Sequence, residues 1–207
     1  MSSLPCTSAG LDILLGPMYS GKTTELLRLL NIYSIGKVNV MYVNSTVDTR
    51  TIDGFAGDGT LAGGKSAFST HNSQLRTRLT PEIRQMKVSR LETVGDDALQ
   101  DIAVIGIDEG QFFPDLESMV RKWVDAGKRV IIASLDGDFR RRKFGNVLDL
   151  VPFADTVRKF CSVCSRCSVA PGIFTHRMTK DTSVVAAGGK DKYESLCRAC
   201  FAKAYVE

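Results

Sequence analysis

A parallel α/β fold is predicted by three features of this sequence. Short apolar runs alternate with segments of helical spacing through the first 150 residues, which is the pattern of strand–helix–strand units. A glycine loop lies between the first apolar run and the first helical segment. It reads Gly16, Pro17, Met18, Tyr19, Ser20, Gly21, Lys22, Thr23 and fits the pattern Gly, four free positions, Gly-Lys-Ser/Thr. From about Phe153 onward cysteines, glycines and short polar segments replace the periodic runs. A nucleotide-binding α/β domain is therefore expected over 1–150 and a smaller unit over 151–207.

The elements follow in order. Residues 13–15 form a buried strand that delivers the chain to the glycine loop. There the glycines let backbone N–H groups converge on phosphate oxygens, and the next helix adds the positive end of its dipole. Lys22 would reach the β- and γ-phosphates, and Thr23 would set its hydroxyl on Mg²⁺. A helix is predicted over 22–34, with Leu26, Leu27, Leu29 and Leu30 at helical spacing and Gly36 as its stop. Residues 38–43 read as a strand, followed by a polar loop over 44–50. The glycine-rich stretch 54–66 reads as a flexible loop. A short helix is expected over 72–79, and Pro81 is placed at the start of another.

Residues 103–107 are a buried strand closed by Asp108, Glu109, Gly110, Gln111, Phe112 and Phe113. A helix is predicted over 114–126, with Leu116, Met119, Val120 and Trp123 on one face. Residues 129–135 are another buried strand, ended by Asp136, Gly137, Asp138 and Phe139. Ligands of parallel sheets bind at the carboxyl ends of the strands. The loops after Leu15, Val43, Ile107 and Leu135 should therefore converge on one site.

Composition narrows the function classes. The chain has 207 residues, 43% hydrophobic and 24% charged, as in a soluble globular protein. A formal net charge of +4 is too small to argue for nucleic acid. No apolar run approaches the roughly 18 residues of a membrane span. The N-terminus lacks the charged and apolar regions of a secretion signal, so a cytoplasmic location is expected. There, cysteines are more often metal ligands than disulfides.

Asp108 and Glu109 follow four apolar residues at a strand end. Next to a phosphate loop, the first acid is placed to hold Mg²⁺ and the second to take a proton from the attacking group, water or alcohol. Without the loop, the pair would read as an ordinary acidic turn. Phe112, Phe113 and Phe139 belong to the same edge. One of the Phe112–Phe113 pair reads as core, and the other is free to stack on a planar base. The run Arg140, Arg141, Arg142, Lys143 reads as a solvated face or as a source of one cation for the transferring phosphate.

Five of the six cysteines lie between residues 161 and 200. They read Cys161-x-x-Cys164-x-x-Cys167 and Cys197-x-x-Cys200. Paired Cys-x-x-Cys knuckles point to tetrahedral Zn²⁺. The first knuckle has two registers, 161/164 or 164/167. Neither His71 nor His176 is needed as a ligand.

These motifs, in this order, closely resemble cytosolic thymidine kinases of the zinc-containing type II class, over residues 11–203. The resemblance implies a RecA-like P-loop domain with a zinc-ribbon lasso domain, and transfer of the ATP γ-phosphoryl group to the 5′-hydroxyl of thymidine. It implies Glu109 as catalytic base. It implies Gly16, Pro17, Met18, Tyr19, Ser20, Gly21, Lys22, Thr23 and Thr24 as the ATP phosphate cradle, with Asp48, Thr49, Arg50, Asp108 and Gln111 on the ATP side. Around thymine it places Met18, Phe112, Leu135, Phe139, Phe144 and Thr175. Val184, Val185, Ala186, Ala187 and Gly188 match lasso backbone that reads the base, and Tyr193 matches a deoxyribose contact. It selects Cys164, Cys167, Cys197 and Cys200 for zinc and leaves Cys161 free. It further implies a homotetramer inhibited by dTTP, with no nucleic acid or membrane partner. The segment 51–66 departs from the family as an insertion on the ATP side. The chain also lacks the long C-terminal tail of some relatives, so regulation through such a tail is not expected.

Two other readings compete. A nucleic-acid-dependent ATPase would share the loop and the acidic strand end, but should carry a broad basic surface. A zinc-ribbon interaction module with a decayed nucleotide site fits poorly with an intact Lys22, Thr23, Asp108 and Glu109.

Overall fold

The computed structural model describes residues 7–48, 79–184, 189 and 191–204. The expected loop at 54–66, the helix at 72–79 up to residue 78, and the insertion at 51–66 lie outside these residues.

The chain builds one six-stranded parallel sheet in the order β3-β2-β4-β5-β1-β6. Its strands are β1 (Gly10–Leu15), β2 (Val40–Ser45), β3 (Arg84–Val88), β4 (Val104–Ile107), β5 (Arg129–Ser134) and β6 (Thr156–Lys159). Helix α1 (Lys22–Ile35) covers one face and α2 (Leu116–Asp125) the other. Strand residues alternate between the two faces, as a period of two requires. Ile13, Ile105, Ile107, Val130 and Ile132 pack with Leu116, Val120 and Trp123. Leu14, Tyr42, Val104, Ile131 and Ala133 pack with Leu26, Leu27, Leu30 and Tyr33. Being buried on both faces explains why the central strands read as unbroken apolar runs. At Gly106 the helix lies directly on the sheet: a Cβ there would sit 2.5 Å from Leu30 Cδ1.

Two expectations need correcting. Pro81 does not start a helix. It lies in a turn in which Ile83 N–H donates to the Thr80 carbonyl at 3.1 Å, and the chain then enters β3, paired in parallel with β2 from Met41↔Arg84 to Ser45↔Val88. Arg84, Gln85 and Lys87 hid this strand, because an edge strand is only half buried and tolerates polar residues. The second difference concerns β6. It lies beyond residue 150 yet pairs with β1 from Asp12↔Thr156 to Leu15↔Lys159, so the large sheet takes its last strand from the segment expected to belong to the small unit. Its four residues are exposed and carry no core signal.

The small unit comprises β7 (Ser162–Val163) with β8 (Pro171–Gly172), β9 (Phe174–Arg177) with β10 (Tyr193–Leu196), and α3 (Arg198–Ala204). Among the described residues its buried core cluster is small: Cys164, Leu196, Cys197 and Phe201. Among the described residues, no helix is long and apolar enough to cross a membrane.

Candidate active site and cysteine cluster

The loops that follow β1, β2, β4 and β5 meet at the carboxyl edge of the sheet. After β1 the backbone takes positive φ at Gly16 (149°), Tyr19 (63°) and Gly21 (86°). Gly16 tolerates no side chain, since a Cβ would lie 2.6 Å from the Phe160 carbonyl oxygen. Gly21 stands at the N-cap of α1. Ser20 Oγ and Lys22 Nζ both donate to the Pro17 carbonyl at 2.8 Å, which curls the loop around its own centre.

Asp108, at the end of β4, is 2% exposed and held from three sides. Thr23 Oγ1 donates to its Oδ1 at 3.1 Å. Tyr42 OH, reaching from β2, donates to Oδ2 at 3.0 Å, and Glu109 N–H donates to Oδ1 at 3.0 Å. Glu109 has left-handed backbone (φ 53°, ψ 43°), an uncommon state for a residue with a side chain and one found at functional turns. Its Oε2 accepts from Gln111 Nε2 at 2.5 Å. At the end of β2, Asn44 Nδ2 donates to Asp48 Oδ2 at 3.0 Å, and Asp48 is buried. Thr49 and Arg50 lie outside the described residues.

A second group of expected residues gathers beside this edge. Met18 N–H donates to Thr175 Oγ1 at 3.0 Å, tying the glycine loop to β9. Phe112 meets Phe144 edge to face at 5.7 Å. Leu135 N–H donates to Gln111 Oε1. Phe139 lies under the guanidinium of Arg177, 4.0 Å from its ring centroid. Burial, with the charge of Asp191 second, pushes the Tyr19 hydroxyl up to about 12, so the phenol of this loop residue stays neutral. Val185, Ala186, Ala187 and Gly188 are outside the described residues.

Sequence reasoning missed Arg177 and Tyr42. Arg177 is 6% exposed. It donates to the carbonyls of Asp181 at 2.9 Å, Val184 at 3.3 Å and Ser183, and to Tyr193 OH at 2.6 Å. It thus gathers Phe139, Tyr193 and the start of the segment expected to read the base. A lone arginine in a polar stretch carries no spacing signal for such a role. Three residues of the basic run have partners of their own: Arg140 Nη2 donates to the Thr182 carbonyl at 2.6 Å, Arg141 lies 4.8 Å over the Phe201 ring, and Lys143 pairs with Asp149.

The sulfurs of Cys164, Cys167, Cys197 and Cys200 all lie within 4.8 Å of one another, with Cys167 and Cys197 at 3.9 Å. A tetrahedron with bonds of about 2.3 Å has edges of about 3.8 Å, so these four cysteines could hold a metal ion such as zinc. Their ionisation is divided. Burial pushes the Cys164 thiol up, but N–H groups of Cys167, Cys197 and Arg166 outweigh it and bring it down to about 6. Cys200, hydrogen-bonded to Cys197 and crowded by the other thiols, is pushed up to about 12. Four deprotonated thiols this close would need a cation between them. Cys161 is exposed and outside the cluster.

A family model described as thymidine kinase matches residues 9–201 of this chain. The chain belongs to the thymidine kinase family. Among its curated relatives, the cytosolic thymidine kinase of Homo sapiens is 39% identical over 197 residues, 95% of this chain and 75% of that protein. That of Gallus gallus is 39% identical over 191 residues, 92% of this chain and 76% of that protein. The thymidine kinase of Monkeypox virus is 35% identical over 191 residues, 92% of this chain and 96% of that protein.

Proposed function

We propose that this protein transfers the γ-phosphoryl group of ATP to the 5′-hydroxyl of thymidine, yielding dTMP and ADP. The observation that carries the reading is the convergence of Thr23, Asp108 and Glu109 on one phosphate-loop edge in a chain of the thymidine kinase family.

Each residue has a part. The loop 16–21 cradles the phosphates with backbone N–H groups, and Lys22 exchanges the Pro17 carbonyl for the β- and γ-phosphate oxygens. Thr23 and Asp108 are the residues that would hold Mg²⁺, which when bound would neutralise charge on the phosphate oxygens. Asp48, with Thr49 and Arg50, serves the ATP side. Glu109 accepts the proton of the 5′-hydroxyl as its oxygen bonds to the γ-phosphorus. The bond from phosphorus to the β,γ-bridging oxygen breaks, and its electron pair leaves with ADP. Phe112, Leu135, Phe139, Phe144 and Thr175 enclose the base. The backbone of 184–188 reads its polar edge, and Tyr193 meets the deoxyribose.

Zn²⁺ is the ion we assign to Cys164, Cys167, Cys197 and Cys200, where it fastens both ends of the lasso. A cytoplasmic homotetramer inhibited by dTTP completes the reading. The test is ADP and dTMP formation on adding thymidine, set against single-stranded DNA as the competing stimulus. ADP release with DNA and none with thymidine would replace this reading by an ATPase. Inhibition by added dTTP and the sedimentation coefficient test the remaining two points.

A further inference from the structure

Gln111 is 5% exposed and sits on the tight turn Gly110–Phe112 directly after Glu109. Both ends of its amide are used. Its Oε1 accepts from Ser134 Oγ and from Leu135 N–H, each at 3.0 Å. Its Nε2 donates to Glu109 Oε2 at 2.5 Å. A backbone N–H can only donate, so the amide oxygen must face the end of β5 and the NH₂ group must face Glu109. The orientation of the amide is thus decided by β5 and imposed on the carboxylate. A further wall backs this arrangement. Gly145, at φ 65°, has no room for a Cβ, which would lie 2.6 Å from the Gln111 carbonyl oxygen.

We propose that Gln111 is a positioning residue for phosphoryl transfer: it holds Glu109 Oε2 so that Oε1 is presented to the nucleoside hydroxyl. The inference rests on Glu109 being the base. A glutamate on a left-handed turn has several rotamers open to it, and a fixed hydrogen bond to its carboxylate raises the time spent at the reacting distance. The hydrogen bond to an ionised oxygen is of the strong, charge-assisted kind. The same amide also holds Leu135 N–H, so one side chain sets the acid and a nucleoside-side residue against each other. A base and its substrate are thereby referenced to the end of one strand.

Gln111→Met keeps most of the bulk and removes the amide. The expected result is a fall in kcat of about 10- to 100-fold, with KM for thymidine within about 3-fold of the parent. In a Glu109→Gln background, adding Gln111→Met should change kcat by less than about 2-fold, because its effect passes through Glu109. Ser134→Ala removes one of the two anchors of the amide and should lower kcat by a smaller factor. If Gln111→Met fails to fold, Ser134→Ala carries the same cycle with Glu109→Gln. Three results would overturn the proposal: kcat retained in Gln111→Met, a raised KM for ATP with kcat retained, or the full loss persisting in the Glu109→Gln background. Parental turnover in Glu109→Gln alone would instead overturn the assignment of the base.

Discussion

Arg177 places a guanidinium in the interior and surrounds it with backbone carbonyls, a phenol and an aromatic face. Such a group is held by its geometry: the planar fork reaches several acceptors at once, which an ammonium cannot. Arg177→Met would leave the carbonyls of Asp181, Ser183 and Val184 without this donor; these residues are exposed, so water can take its place and each lost bond costs about 0.5–1.5 kcal/mol. The expected outcome is a rise in KM for thymidine of about 10-fold or more, with kcat at saturation changed less. Arg177→Lys should recover only part of the loss. Amide exchange at Ser183 and Val184 should quicken in the Met variant, and unchanged KM and exchange would show that another group holds the loop. Glu109 is tested differently. Glu109→Gln keeps the shape and removes the base, so turnover should fall about 10²- to 10⁴-fold while both KM values stay within a few-fold. Steady-state kinetics decide it, and near-parental turnover would take Glu109 out of the chemistry.

Between elements, an ionic staple joins α1 to the edge strand β6. Glu25 accepts from Arg28 at 2.7 and 2.9 Å and from Arg158 at 2.7 Å. The hydrogen bonds of Arg28 foremost, and those of Arg158, hold the Glu25 carboxyl well below its usual range, at about 2 against 4.5. A carboxyl depressed in the folded state stabilises the protein above its unfolded pKa. That contribution is lost as pH falls from about 4.5 to about 2. The thermal midpoint of Glu25→Gln should therefore lie below the parent near pH 6, and the gap should narrow as pH drops through this window. Both arginines are half exposed, so added salt should shrink the gap too. A gap that is constant with pH would mean the loss is one of packing, not charge.

At the scale of the molecule, the nucleotide edge and the cysteine unit are joined directly. Met18 of the glycine loop donates to Thr175 of β9, and Arg140 donates to the Thr182 carbonyl. Among the described residues, the unit's own core cluster has four buried members, two of them cysteines, which is too little apolar burial to order it alone. Zinc would supply the difference, with an apparent contribution of about 10–16 kcal/mol in small zinc units. Cys197→Ser should accordingly abolish thymidine phosphorylation. The six-stranded sheet has its own two cores and should still unfold cooperatively and bind ATP. Chelation should give the same separation, read as loss of turnover with circular dichroism of the sheet retained. Full activity after complete metal removal would refute a structural role for the ion.

Sequence by itself determined the parts of this protein that obey local rules. The loop from Gly16 to Thr23 is legible because phosphate binding needs glycines, a lysine and a hydroxyl at fixed offsets within one turn. Asp108 and Glu109 are legible because a buried parallel strand is a plain apolar run with its polar end at the site. Cys164, Cys167, Cys197 and Cys200 are legible as paired knuckles, though spacing alone left Cys161 a rival. Tertiary structure alone decided the rest. Strand β3 exists because the edge of β2 offered it hydrogen bonds, and Thr156–Lys159 joined the sheet through pairing with β1, not through any apolar pattern. Tyr42 reaches Asp108, Gln111 ties Glu109 to β5, and Arg177 gathers Phe139, Tyr193 and the 181–184 carbonyls across separations that no periodicity records. Local rules act over a few residues. Most of these contacts join residues distant in the chain, and only the packing of helices on the sheet brings them together.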